Sequence, residues 1–434
     1  MTAGSVLGSV EEIATERRVM RLVMDPRVQA SVASVRAWML TDKVTTADSK
    51  LNLDNALLVS LYELAMRKAG EDYSRPLLLW LMNEIPRTWH GYTFPGTGMG
   101  GISNPDNVYR YATVWGGYTY EVRARRAKTR PVQFSIEAGR TTSRRKAAAG
   151  QGFVDLGTQV AMLRDVDIDW DKNDECIFIF GPGDPSARKN YVQLPKESCR
   201  LLFRDTFSDW RQKPSKLSIR RIDPAPEEPK LTDEIIIQRI AQGFRGWMET
   251  WSFYRENWLG HPADNTLAGP LSRDGGWGLL AGGWYRLKDD EALLLNVIDG
   301  GAAYLGFQTT DSWMQAPDAR VTFSSRNISQ VSRDADGSIT YVVAPNDPGY
   351  ANWVGTGGSH DGLVCIRWQQ FTKVHEKPSA LLRSTRVVKF SDLEATLPSA
   401  HKVAPHQRAA ELAMRQKEFD LRLLARSSFV RANA

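Results

Sequence analysis

The chain has 434 residues, of which 42% are hydrophobic and 24% charged, and its formal net charge is +6. This length allows two or three domains with separate cores, and the composition is that of an ordinary globular protein. The small positive charge slightly favours anionic partners, but it does not by itself indicate nucleic-acid binding.

The sequence shows no targeting pattern at its start and no membrane span. Glu11, Glu12 and Glu16 interrupt the first stretch, where a signal peptide would be basic and then apolar. No apolar run reaches about 18 residues, so no membrane partner is expected. The three cysteines cannot all pair, and buried thiols in a reducing compartment are the expected state. We therefore expect a cytoplasmic protein.

The first 90 residues are predicted to be mostly helical. Leucines recur on one face between Leu51 and Lys68, with Asp48 or Ser49 as the cap. Pro76 is predicted to open another short helix that ends near Pro86.

From about residue 91, short apolar runs separated by Gly, Asp, Asn and Pro predict an antiparallel sandwich. A proline-rich linker at 224–229 leads into an amphipathic helix, Leu231 to Trp258, whose aromatic stripe is expected to pack against a domain. A second β region and a helical tail follow.

The predicted fold class is mainly β with helical additions (α+β), built from two related antiparallel β-sandwich or jelly-roll-like units. The predicted segments are 1–90 (helical), 91–223 (first unit), 224–260 (linker and helix), 261–395 (second unit) and 396–434 (helical tail).

One segment occurs twice, which predicts that the two β units are related. Each copy has a Pro-x-Asp-Pro turn, an Asn-aromatic-Val triplet and, after an apolar run, an arginine. The residues are Asp184, Asn190, Tyr191 and Arg204 in the first copy, and Asp347, Asn352, Trp353 and Arg367 in the second. Asparagine and arginine are 14 residues apart in the first copy and 15 in the second.

These motifs resemble domain-of-unknown-function family 1214, which often occurs with family 1254. The resemblance rests on the segments 285–293, 336–337, 347–358 and 362–368, and on a weaker first copy. Asn104-Pro105-Asp106-Asn107-Val108-Tyr109 resembles the family's entry motif, and Pro262-Ala263-Asp264-Asn265 its degenerate second appearance. The resemblance implies an all-β architecture with helical additions, an intracellular bacterial setting and the handling of small organic molecules.

The repeated segment has an architectural and a functional interpretation. Aspartate before proline suits an Asx turn, and the asparagine and aromatic residues can satisfy and cover a sheet edge. Arg204 and Arg367, however, lie in apolar strands. A guanidinium inside a sandwich is costly unless it meets a carboxylate or a ligand anion. Asp205, Asp209 and Asp361 are the nearest candidate partners in sequence.

His360 lies in a glycine-rich loop between Ser359 and Asp361. Adjacent triad residues cannot converge, and no Gly-x-Ser-x-Gly motif is present, so a hairpin loop is the plainer interpretation. His360 is still the best candidate acid or base. The sequence has no metal-ligand spacing and no nucleotide-binding fingerprint, so no cofactor is expected.

We therefore predict a protein that binds a small carbonyl- or carboxylate-bearing molecule. A further hypothesis is that the protein also transforms this molecule chemically. His360 and Arg367 are the candidate catalytic residues of a metal-independent lyase, isomerase or hydrolase. The candidate binding residues are Asn352, Trp353, Arg204, Asn190, Tyr191, Asp106 and Asn107. Two alternatives stay open: a non-catalytic structural or interaction module, and weak nucleic-acid or polyanion binding through the basic run Arg123 to Lys146. A homo-oligomer is also left open.

Overall fold

The computed structural model describes residues 5–98, 101–143, 156–224, 226–273, 278–371, 377–397 and 401–424. The helices are α1 (Val10–Leu22), α2 (Pro26–Asp42), α3 (Ala47–Ala69), α4 (Asp233–Asn257), α5 (Leu393–Thr396) and α6 (Pro405–Leu424). None of these helices is long and apolar enough to cross a membrane.

Most strands are short, and the first two lie before residue 91, within the segment that was predicted to be helical. In the first region they are β1 (Leu79–Leu81), β2 (Arg87–Trp89), β3 (Tyr92–Phe94), β4 (Asn107–Trp115), β5 (Tyr120–Arg125), β6 (Gln133–Arg140), β7 (Gln159–Arg164), β8 (Glu175–Gly181), β9 (Tyr191–Gln193), β10 (Ser198–Thr206) and β11 (Lys216–Arg221). In the second they are β12 (Ala268–Ser272), β13 (Leu279–Arg286), β14 (Glu291–Val297), β15 (Ala302–Asp311), β16 (Ser325–Asn327), β17 (Ile339–Ala344), β18 (Trp353–Gly355), β19 (Asp361–Phe371) and β20 (Leu382–Lys389).

The two β units have the same topology, which confirms the predicted relationship. In the first unit, a five-stranded sheet in the order β1-β4-β10-β6-β7 faces a four-stranded sheet in the order β11-β5-β8-β9. In the second, β12-β13-β19-β15-β16 faces β20-β14-β17-β18. Each strand of the second unit has a counterpart in the first, and the hairpin β2-β3 is the addition. Both units are sandwiches, with one parallel strand pair in each otherwise antiparallel arrangement.

The repeated segment builds that parallel pair. Asp184 and Asp347 each accept a backbone hydrogen bond from two residues ahead, at 2.8 and 2.9 Å, which confirms the predicted Asx turns. Asn190 and Asn352 then adopt left-handed conformations, with φ of 57° and 56°. This conformation turns the chain just before β9 and β18, which then run parallel to β8 and β17.

The N-terminal helices and α4 cover the outer face of the first five-stranded sheet. Their apolar side chains share a core with strand residues such as Leu81, Tyr111 and Leu202. The predicted helix from Pro76 is wrong, because this apolar run forms β1, the edge strand of that sheet. The cap of α3 is Thr46, whose hydroxyl accepts from the backbone N–H of Ser49.

Asp106 connects the two units. Its fully buried carboxylate accepts from Trp210 Nε1 at 2.6 Å, from the Tyr304 hydroxyl at 2.8 Å and from Asn327 Nδ2 at 3.0 Å. Trp210 belongs to the first unit and the other two donors to the second. The Pro262 motif leads into β12, whereas the Asn104 motif leads into β4, the counterpart of β13, so the two motifs lie at different places in their units.

Candidate functional site

Arg204 and Arg367 occupy equivalent positions on β10 and β19. Phe203 and Ile366, their neighbours along the strands, point into the two sandwich cores. Because side chains alternate along a strand, both arginines point away from their own core, and the expectation of a guanidinium inside a sandwich is wrong. Both instead line one cavity of about 600 Å³ between the units.

Arg367 is held by neutral acceptors. It is only 6% exposed. Its Nη2 donates to the carbonyl oxygen of Ile102 at 2.8 Å, and its Nη1 donates to Oε1 of Gln308. None of the ion pairs among the described residues includes Arg367. Its buried guanidinium therefore has no directly bonded carboxylate among the described residues, which is unusual for a protein interior. Burial lowers the pKa of Arg367, but neighbouring groups, Asp106 among them, outweigh this effect and raise it.

Arg204 is paired with a carboxylate from a neighbouring strand. Its Nη2 donates to Oε2 of Glu137 at 2.5 Å, and Arg200 donates to the other oxygen of the same carboxylate. The predicted local partners are wrong for both arginines. Asp205 pairs with Arg110 on the core side of the sheet, and the other two predicted aspartates bind neither guanidinium.

Arg273, directly after β12, completes a group of three guanidinium groups. Burial, together with the charges of Arg367 and Arg204, lowers the pKa of Arg273 to about 9. The group is still protonated at neutral pH. Guanidinium groups gathered at a cavity wall can bind an anion, although Arg204 is already paired with Glu137.

One face of α4 forms the opposite wall. Trp247, Trp251 and Tyr254 stack edge to face along it, with ring centroids 5.7 and 5.5 Å apart. From Gly243 to Tyr254 this face spans about 17 Å. The prediction that the aromatic stripe packs against a domain is confirmed: Ile240 and Phe244 lie in the core shared with the N-terminal helices, and Trp258 is buried in a second cluster. The second half of α4 also lines the cavity.

Two glycines of α4 leave open space that forms part of the cavity. A Cβ placed on Gly246 would meet no atom within 4 Å, and one on Gly243 would meet only Leu64 Cδ2, at 3.9 Å. Glycine in a helix interior is unfavourable compared with alanine. At these positions its missing side chain leaves open space between helix and sheet.

The described lining of the cavity is rich in cationic side chains. Within the described part of the chain its cationic lining side chains are Arg67, Lys68, Arg140, Arg200, Arg204, Arg273 and Arg367, against the single carboxylate of Glu137. Glu63, Glu71 and Glu197 lie behind the lining and pair with Arg67, Lys68 and Arg140.

The described lining offers little for acid–base chemistry. Burial raises the pKa of Glu137, but the charges and hydrogen bonds of Arg200 and Arg204 outweigh it and hold that pKa well below its usual range. A carboxylate bound in this way is a weak base. Burial also raises the pKa of Tyr254, so its hydroxyl stays protonated. The arrangement is suited to holding an anion more than to moving protons.

Of the nine predicted site residues, Arg204, Arg367 and Asn107 line the cavity. Asn190 and Asn352 instead brace the repeated turns: their side chains exchange hydrogen bonds with the backbones of Asp169 and Ser332, at 2.7–3.1 Å.

The two aromatic residues and Asp106 also lie outside the cavity. The Tyr191 hydroxyl accepts from the backbone of Gly183 at 2.7 Å. Trp353 packs against Phe323, with centroids 5.4 Å apart, and its Nε1 donates to Ala344 O at 3.1 Å. Asp106 is the inter-unit joint described above. These residues have architectural roles in the structure.

His360 is not brought together with Arg367. It immediately precedes β19, and Arg367 lies seven positions further along this extended strand, on the order of 20 Å away. Its ring nitrogens lie 3.1 Å from Asp48 Oδ2 and from Asp289 Oδ1. His360 therefore links the start of α3 to the turn before β14.

The basic run is largely paired with acids. Its ion pairs are Arg123 with Glu121, Arg125 with Glu175, Arg126 with Asp165 and Asp174, Arg130 with Asp174, and Arg140 with Glu197. Residues 144–146 of the run lie outside the described residues. Nothing in the described part favours nucleic-acid binding.

Sequence reasoning missed the residues that α4 and β12 contribute: Gly243, Gly246, Trp247, Trp251, Tyr254 and Arg273. One signal was present. Two glycines, three residues apart, interrupt an otherwise strong helix on its aromatic side. Glycines at such positions leave open space beside the helix.

The fold is similar to that of a solved structure. A crystal structure of an uncharacterized protein from Burkholderia cenocepacia is 22% identical, covers 86% of this chain and 100% of its own, and superposes with a TM-score of 0.65. A Vibrio parahaemolyticus protein matches more distantly, at 10% identity over 67% of this chain and 90% of its own, with a TM-score of 0.37. The first likeness concerns the fold alone, and the second is too distant to support an argument. No family model and no curated protein matches, so the resemblance to family 1214 stays a prediction.

Proposed function

We propose that the protein binds a small anionic organic molecule in the cavity between its two β units. The anionic head meets Arg204, Arg273 and Arg367, and the apolar body lies along the aromatic face of α4. One observation carries this proposal: Arg367 is buried with neutral hydrogen-bond partners at a cavity wall that also contains two further arginines.

Binding is better supported than catalysis. The candidate acid or base, His360, lies away from the arginines, and Glu137 is engaged by two guanidinium groups. A cytoplasmic location and the membership in family 1214 remain predictions beside this proposal.

The competing function is purely structural, in which the arginines stabilise the contact between the units. The turn residues of the repeat do have such a role. A structural role alone, however, gives no reason for three mutually repelling guanidinium groups beside an open space of this size.

A fluorescence titration with anilinonaphthalene sulfonate, an anionic aromatic probe, tests the proposal. Replacing Arg367 by Met keeps the length of the side chain and removes its charge. A charge-assisted hydrogen bond contributes about 1.5–3 kcal/mol, so affinity should fall at least about tenfold. Gly246→Phe fills the cavity and should abolish saturable binding.

Arg245→Met is the matched control. Arg245 lies on α4 outside the cavity and pairs with Glu249, so this variant makes the same change in net charge. It should bind the probe as the wild type does. If Arg367→Met and Gly246→Phe fold normally and bind like Arg245→Met, the proposed site is wrong.

A further inference from the structure

Gln369 adds a neutral polar group to the cavity wall. It lies two residues after Arg367 on β19, and both side chains line the cavity, whereas Trp368 between them packs in the core of the second unit. Gln369 is fully buried, and neither its Oε1 nor its Nε2 has a hydrogen-bond partner among the described residues. A buried amide in this state is destabilising, because it has lost its hydrogen bonds to water without replacing them.

The neighbouring strands fix the position of this side chain. A Cβ on Gly278 would lie 2.9 Å from Cγ of Gln369, so the backbone just before β13 passes directly beside the stem of the side chain. On the other side, β15 places Tyr304 opposite Gln369. The Tyr304 hydroxyl is already bonded to Asp106 and Asn104, so it is not available to the amide. A partner for the amide can instead come from the cavity that Gln369 lines.

A side-chain amide pairs best with a group that has a donor and an acceptor on the same edge. Oε1 accepts and Nε2 donates within one plane, so a primary carboxamide or a ring lactam can form two hydrogen bonds with Gln369 at once. An open-chain secondary amide is less suitable, because its trans form places the N–H and the C=O on opposite edges. A carboxylate would satisfy Nε2 but would leave Oε1 facing another acceptor.

We infer that the ligand carries a primary carboxamide or a ring lactam in addition to its anionic group, and that Gln369 recognises this second group. The inference rests on the proposed function above, and it adds a residue that determines specificity within the same cavity. Arg367 and Gln369 are about 7 Å apart along β19. A para-substituted benzene ring separates its two substituents by a similar distance, and it also suits the aromatic face of α4.

The test compares para-carbamoylbenzoate with para-acetylbenzoate. Both are monoanions of nearly the same shape, but the second has a methyl group in place of the amide nitrogen, so it cannot donate to Oε1 of Gln369. Calorimetric titration of the full chain should show para-carbamoylbenzoate binding at least about tenfold more tightly, because the acetyl compound leaves a buried acceptor unpaired.

Two variants of β19 assign this preference to one side chain. Gln369→Met keeps the length of the side chain and removes its amide, so it should abolish or reverse the preference for para-carbamoylbenzoate. Gln370→Met makes the same change at the next residue, which is not part of the cavity lining, and should keep the preference.

Urea denaturation of the free protein gives an independent measurement. Gln369→Met replaces two unpartnered polar atoms by an apolar group of similar shape, so its midpoint should equal or exceed that of the wild type. A clear fall in the midpoint would mean that the amide has a partner in the free protein, and it would overturn the inference.

The binding results separate this inference from the proposed function. Equal binding of the two probes by the wild type, or a preference that survives in Gln369→Met, would overturn the role of Gln369. The anion site would still stand if Arg367→Met weakened the binding of both probes. If neither probe binds in a way that Gly246→Phe abolishes, the proposed function fails as well.

Discussion

The cavity predicts an unusual response to substitutions at Gly246. Glycine inside a helix costs about 0.5–1 kcal/mol relative to alanine. A Cβ at this position would meet no atom within 4 Å. Gly246→Ala should therefore raise the free energy of unfolding by about 0.5–1 kcal/mol. Gly246→Phe should be at least as stable as the wild type, because its ring would cover apolar surface that now lines the cavity.

Urea denaturation followed by far-ultraviolet circular dichroism measures this effect, with Gly243→Ala as a companion variant on the same face. The titration with anilinonaphthalene sulfonate on the same samples should show that affinity falls while stability rises. A loss of more than about 1 kcal/mol in Gly246→Ala would refute the reasoning, because it would mean that the space beside Gly246 is occupied in the folded protein.

Three further predictions concern residues outside the cavity. Asp106→Ala leaves three buried donors without an acceptor, so it should lower the free energy of unfolding in urea by about 3 kcal/mol or more. An unchanged denaturation midpoint would contradict the role of Asp106 in connecting the two units. Asn352→Ala should cost about 1–3 kcal/mol in the same assay, since it removes the side-chain bridge and places a non-glycine, non-asparagine residue at positive φ. The hydrogen bonds of His360 with Asp289 and Asp48 raise the pKa of its imidazole. The wild type should therefore be more stable than His360→Gln at about pH 5.5, and it should lose this advantage as the pH rises through the raised pKa. Thermal melts that show a constant difference in stability up to about pH 8 would contradict this link.

The duplication and its turns could be predicted because their causes are local. A Pro-x-Asp-Pro turn followed by asparagine encodes an Asx turn and a left-handed residue within a few positions of sequence. The structure shows both at Asp184 and Asp347, and at Asn190 and Asn352. The shared topology of the two units follows from the same repeated pattern of strands.

The direction of the arginines could not be predicted. The first nine residues of β19 are all buried, so apolar and polar residues do not alternate and neither face is marked as the core side. Glu137, the partner of Arg204, is 67 residues away in sequence. The sequence could show that each arginine needed a partner. The packing of the two units determines which distant element supplies that partner, and the same packing forms the cavity.

The most direct test of the anion site is a crystal structure of the protein with para-bromobenzoate and with para-bromophenyl phosphate. Anomalous scattering locates the bromine without bias from the refined coordinates. The account predicts a bromine peak beside Gly246 and Trp247, with the anionic head within hydrogen-bonding distance of Arg367. Two results at saturating ligand concentrations would contradict the anion site. In one, the cavity holds only water, and in the other, the bromine lies solely elsewhere on the protein.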